Sequence, residues 1–241
     1  MNPPILAVTD VSKSFGPLRA LGPVSLELRA GERLGIIGPN GSGKTTLINC
    51  ISGILKPDEG RVWFDGRDVT GLLAYKRARL GLARSFQIPK PFVGMSVLEN
   101  VLVPLDQLGY GSGREERARA VLASVRLDAR ARDDARALSQ LELRKLELAR
   151  ALAAAPKVLI ADEAMAGLSD AEIDEILVIL LDLSRSGVAV IMVEHIMHAV
   201  MRFSQRVICL ETGQLVADGT PRQVAEDPLV QKVYFGESAG H

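Results

Sequence analysis

Residues 38–45 read Gly-Pro-Asn-Gly-Ser-Gly-Lys-Thr, a spacing suited to holding a chain of phosphates. The missing side chains at Gly38, Gly41 and Gly43 let consecutive backbone N–H groups curl around an anion. A helix starting behind them adds the positive end of its dipole. Lys44 supplies a point charge to the β- and γ-phosphates, and the Thr45 hydroxyl is suited to hold Mg²⁺. Pro39, Asn40, Ser42 and Thr46 complete the lining. Hydrolysis also needs a carboxylate on the metal side and a group that activates water. Residues 158–163, VLIADE, bring both: Asp162 for the metal, and Glu163 to orient and deprotonate the attacking water.

Such a loop needs a strand before it and a helix after it, and the flanks have that pattern. RLGIIG is an apolar strand, TTLINCIS has helical spacing, and Gly53 is placed to end the helix. Residues 5–15 and 23–29 are predicted strands, and 61–64 a further strand closed by an Asp65-Gly66 turn. From 72 to 155 the chain is rich in Arg, Ala, Leu and Glu and is expected to be mainly helical, with a connection at 109–116. Strand signals return at 158–161, 188–193 and 206–210. Between the first two, Ser169 and Glu172 make a capping box, and Ile173, Ile176, Leu177, Leu180 and Leu181 line one helix face. Alternating strands and helices imply a parallel α/β core with ligand chemistry at the strand ends.

The 241 residues are 47% hydrophobic and 24% charged, with 29 basic and 29 acidic side chains. That balance argues against a dedicated nucleic-acid binder. Cys50 and Cys209 fall outside any paired motif and are expected to be buried and reduced. The N-terminus lacks a secretion-signal pattern, and no apolar run approaches the roughly 20 residues of a membrane-spanning helix.

In the order of its motifs the chain resembles the nucleotide-binding subunit of an ABC transporter over nearly its whole length. Besides GPNGSGKT and VLIADE, the resemblance is carried by Phe15 in KSFG, Gln87 in RSFQ, AGLSD at 166–170 and His195 in MVEH. It implies an α/β fold, a P-loop NTPase of the ABC type. Its RecA-like parallel-sheet core with an N-terminal antiparallel β subdomain would span 1–71 and 156–220. A helical subdomain would span 72–155, and a C-terminal helical tail 221–241. ATP and Mg²⁺ are the implied cofactors. Phe15 would stack on adenine, and Gln87 would join the core to the helical subdomain and sense Mg²⁺ and water. His195 would contact the γ-phosphate, and 166–170 would cross a dimer interface.

One segment departs from the family. Its signature, usually LSGGQ, is here Leu138-Ser139-Gln140-Leu141-Glu142. In the family this segment binds the γ-phosphate of a nucleotide held by the opposite subunit. Leu141 restricts the close backbone approach a glycine allows, and Glu142 adds negative charge near an anion. The favoured expectation is that Ser139 and the helix N-terminus still face the phosphate while the other side chains turn aside.

Segments 86–101, 162–175 and 218–237 resemble subunits of branched-chain amino acid importers, and the first leans toward the larger of two ATP-binding types. The resemblance implies an importer for branched-chain amino acids or related small amides. Its partners would be a second ATP-binding subunit (the same chain or, in preference, a different one), two transmembrane permease subunits, and indirectly a periplasmic or extracellular binding protein. The chain would sit peripherally on the cytoplasmic face of the inner membrane. Ile88, Pro91, Phe92, Val93 and Met95 are candidates for docking a permease helix. The alternative is an ABC-type ATPase acting on DNA, ribosomes or cluster assembly.

Overall fold

The computed structural model describes residues 3–85, 89–109 and 111–235. The chain opens with β1 (Leu6–Phe15) and β2 (Leu18–Leu28), paired antiparallel. From Val24 to Leu28 side chains alternate between buried and exposed, as in a sheet packed on one face only. β3 (Arg33–Ile37) is buried from Leu34 onward, the mark of a strand covered on both faces. α1 (Lys44–Ser52) follows the 38–43 loop and ends at Gly53, whose φ of 81° makes the left-handed cap. β4 (Glu59–Phe64) turns through Asp65 and Gly66, at φ 50° and 75°, into β5 (Arg67–Asp68). Two successive positive φ values give the turn whose twist matches a hairpin.

Next come α2 (Ala74–Leu80), β6 (Leu82–Ser85), α3 (Val97–Gln107), α4 (Arg114–Ser124) and α5 (Gln140–Leu152). Then β7 (Val158–Asp162), α6 (Asp170–Arg185), β8 (Ala189–Val193), α7 (Met197–Phe203), β9 (Arg206–Glu211) and β10 (Gln214–Gly219) rebuild the alternation. α8 (Pro221–Glu226) and α9 (Pro228–Phe235) end the described chain. The strands form an antiparallel sheet, β2-β1-β4-β5, and a larger sheet ordered β10-β9-β3-β8-β7-β6. The larger sheet is parallel except for β10 at its edge.

Side-chain alternation in the larger sheet separates two cores. Val158, Ile160, Ala189, Ile191, Val193, Ile208 and Leu210 pack with α1 and the antiparallel sheet. Their neighbours Leu159, Ala161, Val190, Met192, Val207 and Cys209 pack with α3–α7 on the opposite face. Each Val, Leu, Ile or Met among them removed from water contributes roughly 1.5–3 kcal/mol, and a one-residue slip in one strand would send its side chains to the wrong core. Cys50 and Cys209 are fully buried free thiols, and burial pushes each up to about 11. Among the described residues no helix is long and apolar enough to cross a membrane.

The stretch 72–155 is not purely helical. Leu82–Ser85 pairs with β7 and forms the outer strand of the parallel sheet; four residues are too few to show a period. α5 starts at Gln140 because Ser139 caps it.

α2 is tied to α1 by a buried charge. Arg77, 1% exposed, donates to the carbonyls of Cys50 and Ile51 at 2.8 and 2.6 Å, and to those of Leu72 and Thr70 at 3.0 Å. It thereby satisfies carbonyls at the C-terminal end of α1 that have no partner within the helix. Arg77→Met keeps the stem and strands those acceptors. Urea unfolding should show a loss of about 2–4 kcal/mol.

Candidate functional site

Three neighbouring strands deliver the chemistry to one edge of the larger sheet. Val193 is level with Ile36 of β3 on one side and with Asp162 of β7 on the other. The next residues along each strand therefore meet: Gly38 opens the glycine loop, Glu163 follows Asp162, and His195 follows β8. The strand ends of a parallel sheet are where ligand sites form.

In the loop, Gly38 has φ 148°, and a Cβ there would lie 2.2 Å from the Leu210 carbonyl oxygen and 2.6 Å from Ser42 Oγ. A Cβ on Gly43 would meet the Ala20 carbonyl oxygen at 2.8 Å. Glycine is required at both. Ser42 N–H donates to the Pro39 carbonyl at 3.2 Å, closing the loop on itself. Lys44, 6% exposed, donates to the carbonyls of Gly38 at 2.7 Å and Pro39 at 2.9 Å. Burial lowers its pKa from the usual lysine value, while the charges of Glu163 and Asp162 oppose that shift. Asn40, Gly41 and Thr45 are exposed at the mouth, and Pro39 and Thr46 are half-buried.

Asp162 is buried, and its Oδ2 accepts from Arg84 Nη2 at 2.6 Å. Arg84 Nη1 reaches Asn49 Oδ1 at 2.6 Å, joining β6, β7 and α1 through one guanidinium. Glu163 has φ 47°, rare for a residue with a side chain and a store of strain. Its N–H donates to the Val193 carbonyl at 2.9 Å, and its Oε1 lies 3.0 Å from His195 Nε2. The carboxylate and imidazole are thus in hydrogen-bond contact just past the end of β7.

Glu194 is 2% exposed and accepts from the Met165 N–H at 2.9 Å. Burial pushes its carboxyl up to about 7, and nearby Glu163 adds to that shift. The next carbonyl along, Ala166, accepts from Arg144 Nη2 at 2.9 Å and Gln140 Nε2 at 3.3 Å. The 166–170 loop is therefore held from α5 on one side and from Glu194 on the other.

Ser139 is the N-cap of α5. Its Oγ accepts from Glu142 N–H at 3.3 Å, and Glu142 Oε2 accepts from Ser139 N–H at 2.8 Å. This reciprocal pair is a capping box, and Arg130 Nε stands 3.7 Å from Glu142 Oε1. Glu142 is turned back onto Ser139 instead of pointing away from the helix end. Phe15, at the end of β1, is 48% exposed with Lys13 Nζ 5.9 Å from its ring centre. Gln87 lies outside the described residues. Among the described residues no cluster of three or more His, Cys, Asp or Glu is arranged to hold a metal ion. A metal here would depend on Thr45, Asp162 and the phosphates themselves, all oxygen donors of the kind Mg²⁺ prefers.

Sequence reasoning missed Arg84, Glu194 and Arg144. Arg84 lies in β6, a strand without a sequence period, and Glu194 and Arg144 meet their partners only through the tertiary fold.

The model for the family described as ABC transporter matches residues 21–166, and that for the branched-chain amino acid ATP-binding cassette transporter matches 214–240. A probable branched-chain amino acid transport ATP-binding protein LivG from Archaeoglobus fulgidus is 36% identical, over 96% of this chain and 95% of that protein. The lipopolysaccharide export system ATP-binding protein LptB of Acidithiobacillus ferridurans is 33% identical, over 97% of each. Among solved structures, the ADP conformation of MJ1267, an ATP-binding cassette of an ABC transporter, superposes with a TM-score of 0.89 at 34% identity. It covers 98% of this chain and 100% of that one.

Because the Glu194 carboxyl is raised to about 7, the folded chain holds its proton over a window where the unfolded chain has lost it. Its contribution to stability is thus present at low pH and is lost as pH climbs from about 4.5 to 7. Glu194→Gln keeps an acceptor for Met165 without the charge. Urea unfolding should show the variant more stable by about 2 kcal/mol at pH 8, with the difference shrinking toward pH 5.

Proposed function

Because this chain belongs to the ABC transporter family, whose ATP-binding subunits hydrolyse ATP to drive transport, we propose that it powers an importer of branched-chain amino acids or related small amides. The observation that carries the site reading is the Glu163–His195 contact of 3.0 Å, at the same sheet edge as the glycine loop. The match of residues 214–240 and the Archaeoglobus relative support the cargo class. Selection among cargoes lies with the membrane subunits and the binding protein, not with this chain. An ABC-type ATPase acting on DNA, ribosomes or cluster assembly is not favoured.

In this reading the β- and γ-phosphates take over the Lys44 ammonium from the Gly38 and Pro39 carbonyls, an exchange of one set of acceptors for a charged one. Exposed Phe15 offers its face to adenine. The Thr45 hydroxyl and Asp162 would hold Mg²⁺, which neutralises charge on the transferring phosphoryl group. Glu163 orients the attacking water and accepts its proton, while His195 holds the Glu163 carboxylate from the other side and faces the γ-phosphate. Gln87, which follows β6 in sequence, would link this edge to the helical subdomain. The chain works in a dimer, with a different ATP-binding subunit preferred as partner, peripherally on the cytoplasmic face of the membrane.

A groove of about 540 Å³ between α2, α3 and α5, lined by Tyr75, Arg79, Pro104, Leu108 and Arg150, supports docking of a permease segment. Phe92, Val93 and Met95 are exposed close by, with Arg150 stacked 4.7 Å from the Phe92 ring centre; Ile88 lies outside the described residues. Recovery of the tagged chain with two polytopic membrane proteins is the expected result of purification from its own cells. Recovery with ribosomes or DNA would sink the transport reading.

Glu163→Gln should bind ATP with ordinary affinity yet hydrolyse it about 10²- to 10⁴-fold more slowly. Near-normal phosphate release would assign the base elsewhere. Glu142→Gln retains the capping box and removes the negative charge from the helix end that the partner's nucleotide would face. The KM for ATP of the assembled transporter should fall about 2- to 5-fold. An unchanged value would mean that the carboxylate is already neutralised where it lies.

A further inference from the structure

The residue that holds the first peptide of the glycine loop comes from the far end of the chain. Gly38 is buried, at φ 148°, one residue past the ladder: β3 is level with β8 as far as Ile36 and with β9 as far as Ile37. A buried backbone N–H beyond its ladder needs a partner. Gly38 finds it in the Tyr234 hydroxyl, whose oxygen accepts at 2.5 Å. Its own carbonyl accepts from Lys44 Nζ at 2.7 Å. The glycine is thus held on one side by the phosphate-binding lysine and on the other by the C-terminal helix.

Tyr234 is well placed for this. α9 seats Val230 in the core at 2% exposure, and the Tyr234 ring packs against the same cluster. Burial pushes the phenol up to about 12, so the hydroxyl stays neutral across the physiological range. A Cβ on Gly38 would collide with the Leu210 carbonyl and Ser42 Oγ, so the chain passes this point only as glycine. The Gly38 N–H lies in the peptide plane before its Cα and the carbonyl that Lys44 holds lies in the plane after it, so the bond to Tyr234 sets the first plane and the Gly38 φ carries that setting to the start of the loop.

We propose that Tyr234 is a positioning residue of the nucleotide site, through which the docked C-terminal helix fixes the Gly38 peptide and the loop behind it. The proposal rests on residues 38–45 binding ATP, as inferred above.

The test uses the full chain, wild type and Tyr234→Phe, which keeps the ring and removes only the oxygen. Calorimetric titration with ATP should give a Kd raised about 3- to 10-fold. Hydrogen exchange should quicken in the 34–42 segment while α9 amides keep wild-type protection. Unchanged ATP affinity overturns the proposal. So does a loss of α9 protection alongside the weakened binding, since the effect would then be undocking of the tail and not a missing bond to Gly38. A wild-type chain that binds no ATP would instead overturn the nucleotide-site reading, and the proposal with it.

Discussion

The hydrogen-bonded register around Val193 is the constraint from which the site follows. Because Val193 is level with both Ile36 and Asp162, three strand ends terminate in step. The Val193 carbonyl then accepts the Glu163 N–H, which carries the chain into its strained turn at φ 47°. That turn brings the Glu163 carboxylate to His195. A backbone bond between strands thus decides a contact between side chains. Ladders of this kind are rigid because the side chains flanking them are locked into two separate cores.

Polar groups at this edge find partners within the chain. Lys44 lies on loop carbonyls and Asp162 on Arg84. In the proposed reading a nucleotide would enter by exchange, replacing internal hydrogen bonds with its own. Each charge-assisted bond is worth about 1.5–3 kcal/mol, but the gain on binding is only the difference between old and new partners. Exchange of this sort keeps the site ordered without a ligand and makes its affinity sensitive to the neighbours that hold each group.

Much of this was legible in the sequence, where local chemistry and structure coincide. The glycine loop, the Gly53 cap, the Asp65-Gly66 turn and the Ser169–Glu172 capping box were readable because each is set by residues within about four positions. Glu142 was a harder case: its charge was visible, but not its turn back onto Ser139. β6 was missed because a four-residue strand carries no period and sits inside helix-rich sequence. Arg84, Glu194 and Tyr234 were missed for a different reason. Their partners, Asp162, Met165 and Gly38, are 78, 29 and 196 positions away, and no local pattern encodes a meeting that only the tertiary fold creates.

The two buried thiols have a practical side. Cys50 and Cys209 are inaccessible, and with pKa values near 11 they carry almost no thiolate at neutral pH. The natural chain is therefore a silent background for thiol-directed probes. A single cysteine placed on an exposed helix could take a spin label or fluorophore selectively, with neither native sulfur replaced. Distances between the helical region and the phosphate edge could then be followed during turnover in an otherwise unaltered protein.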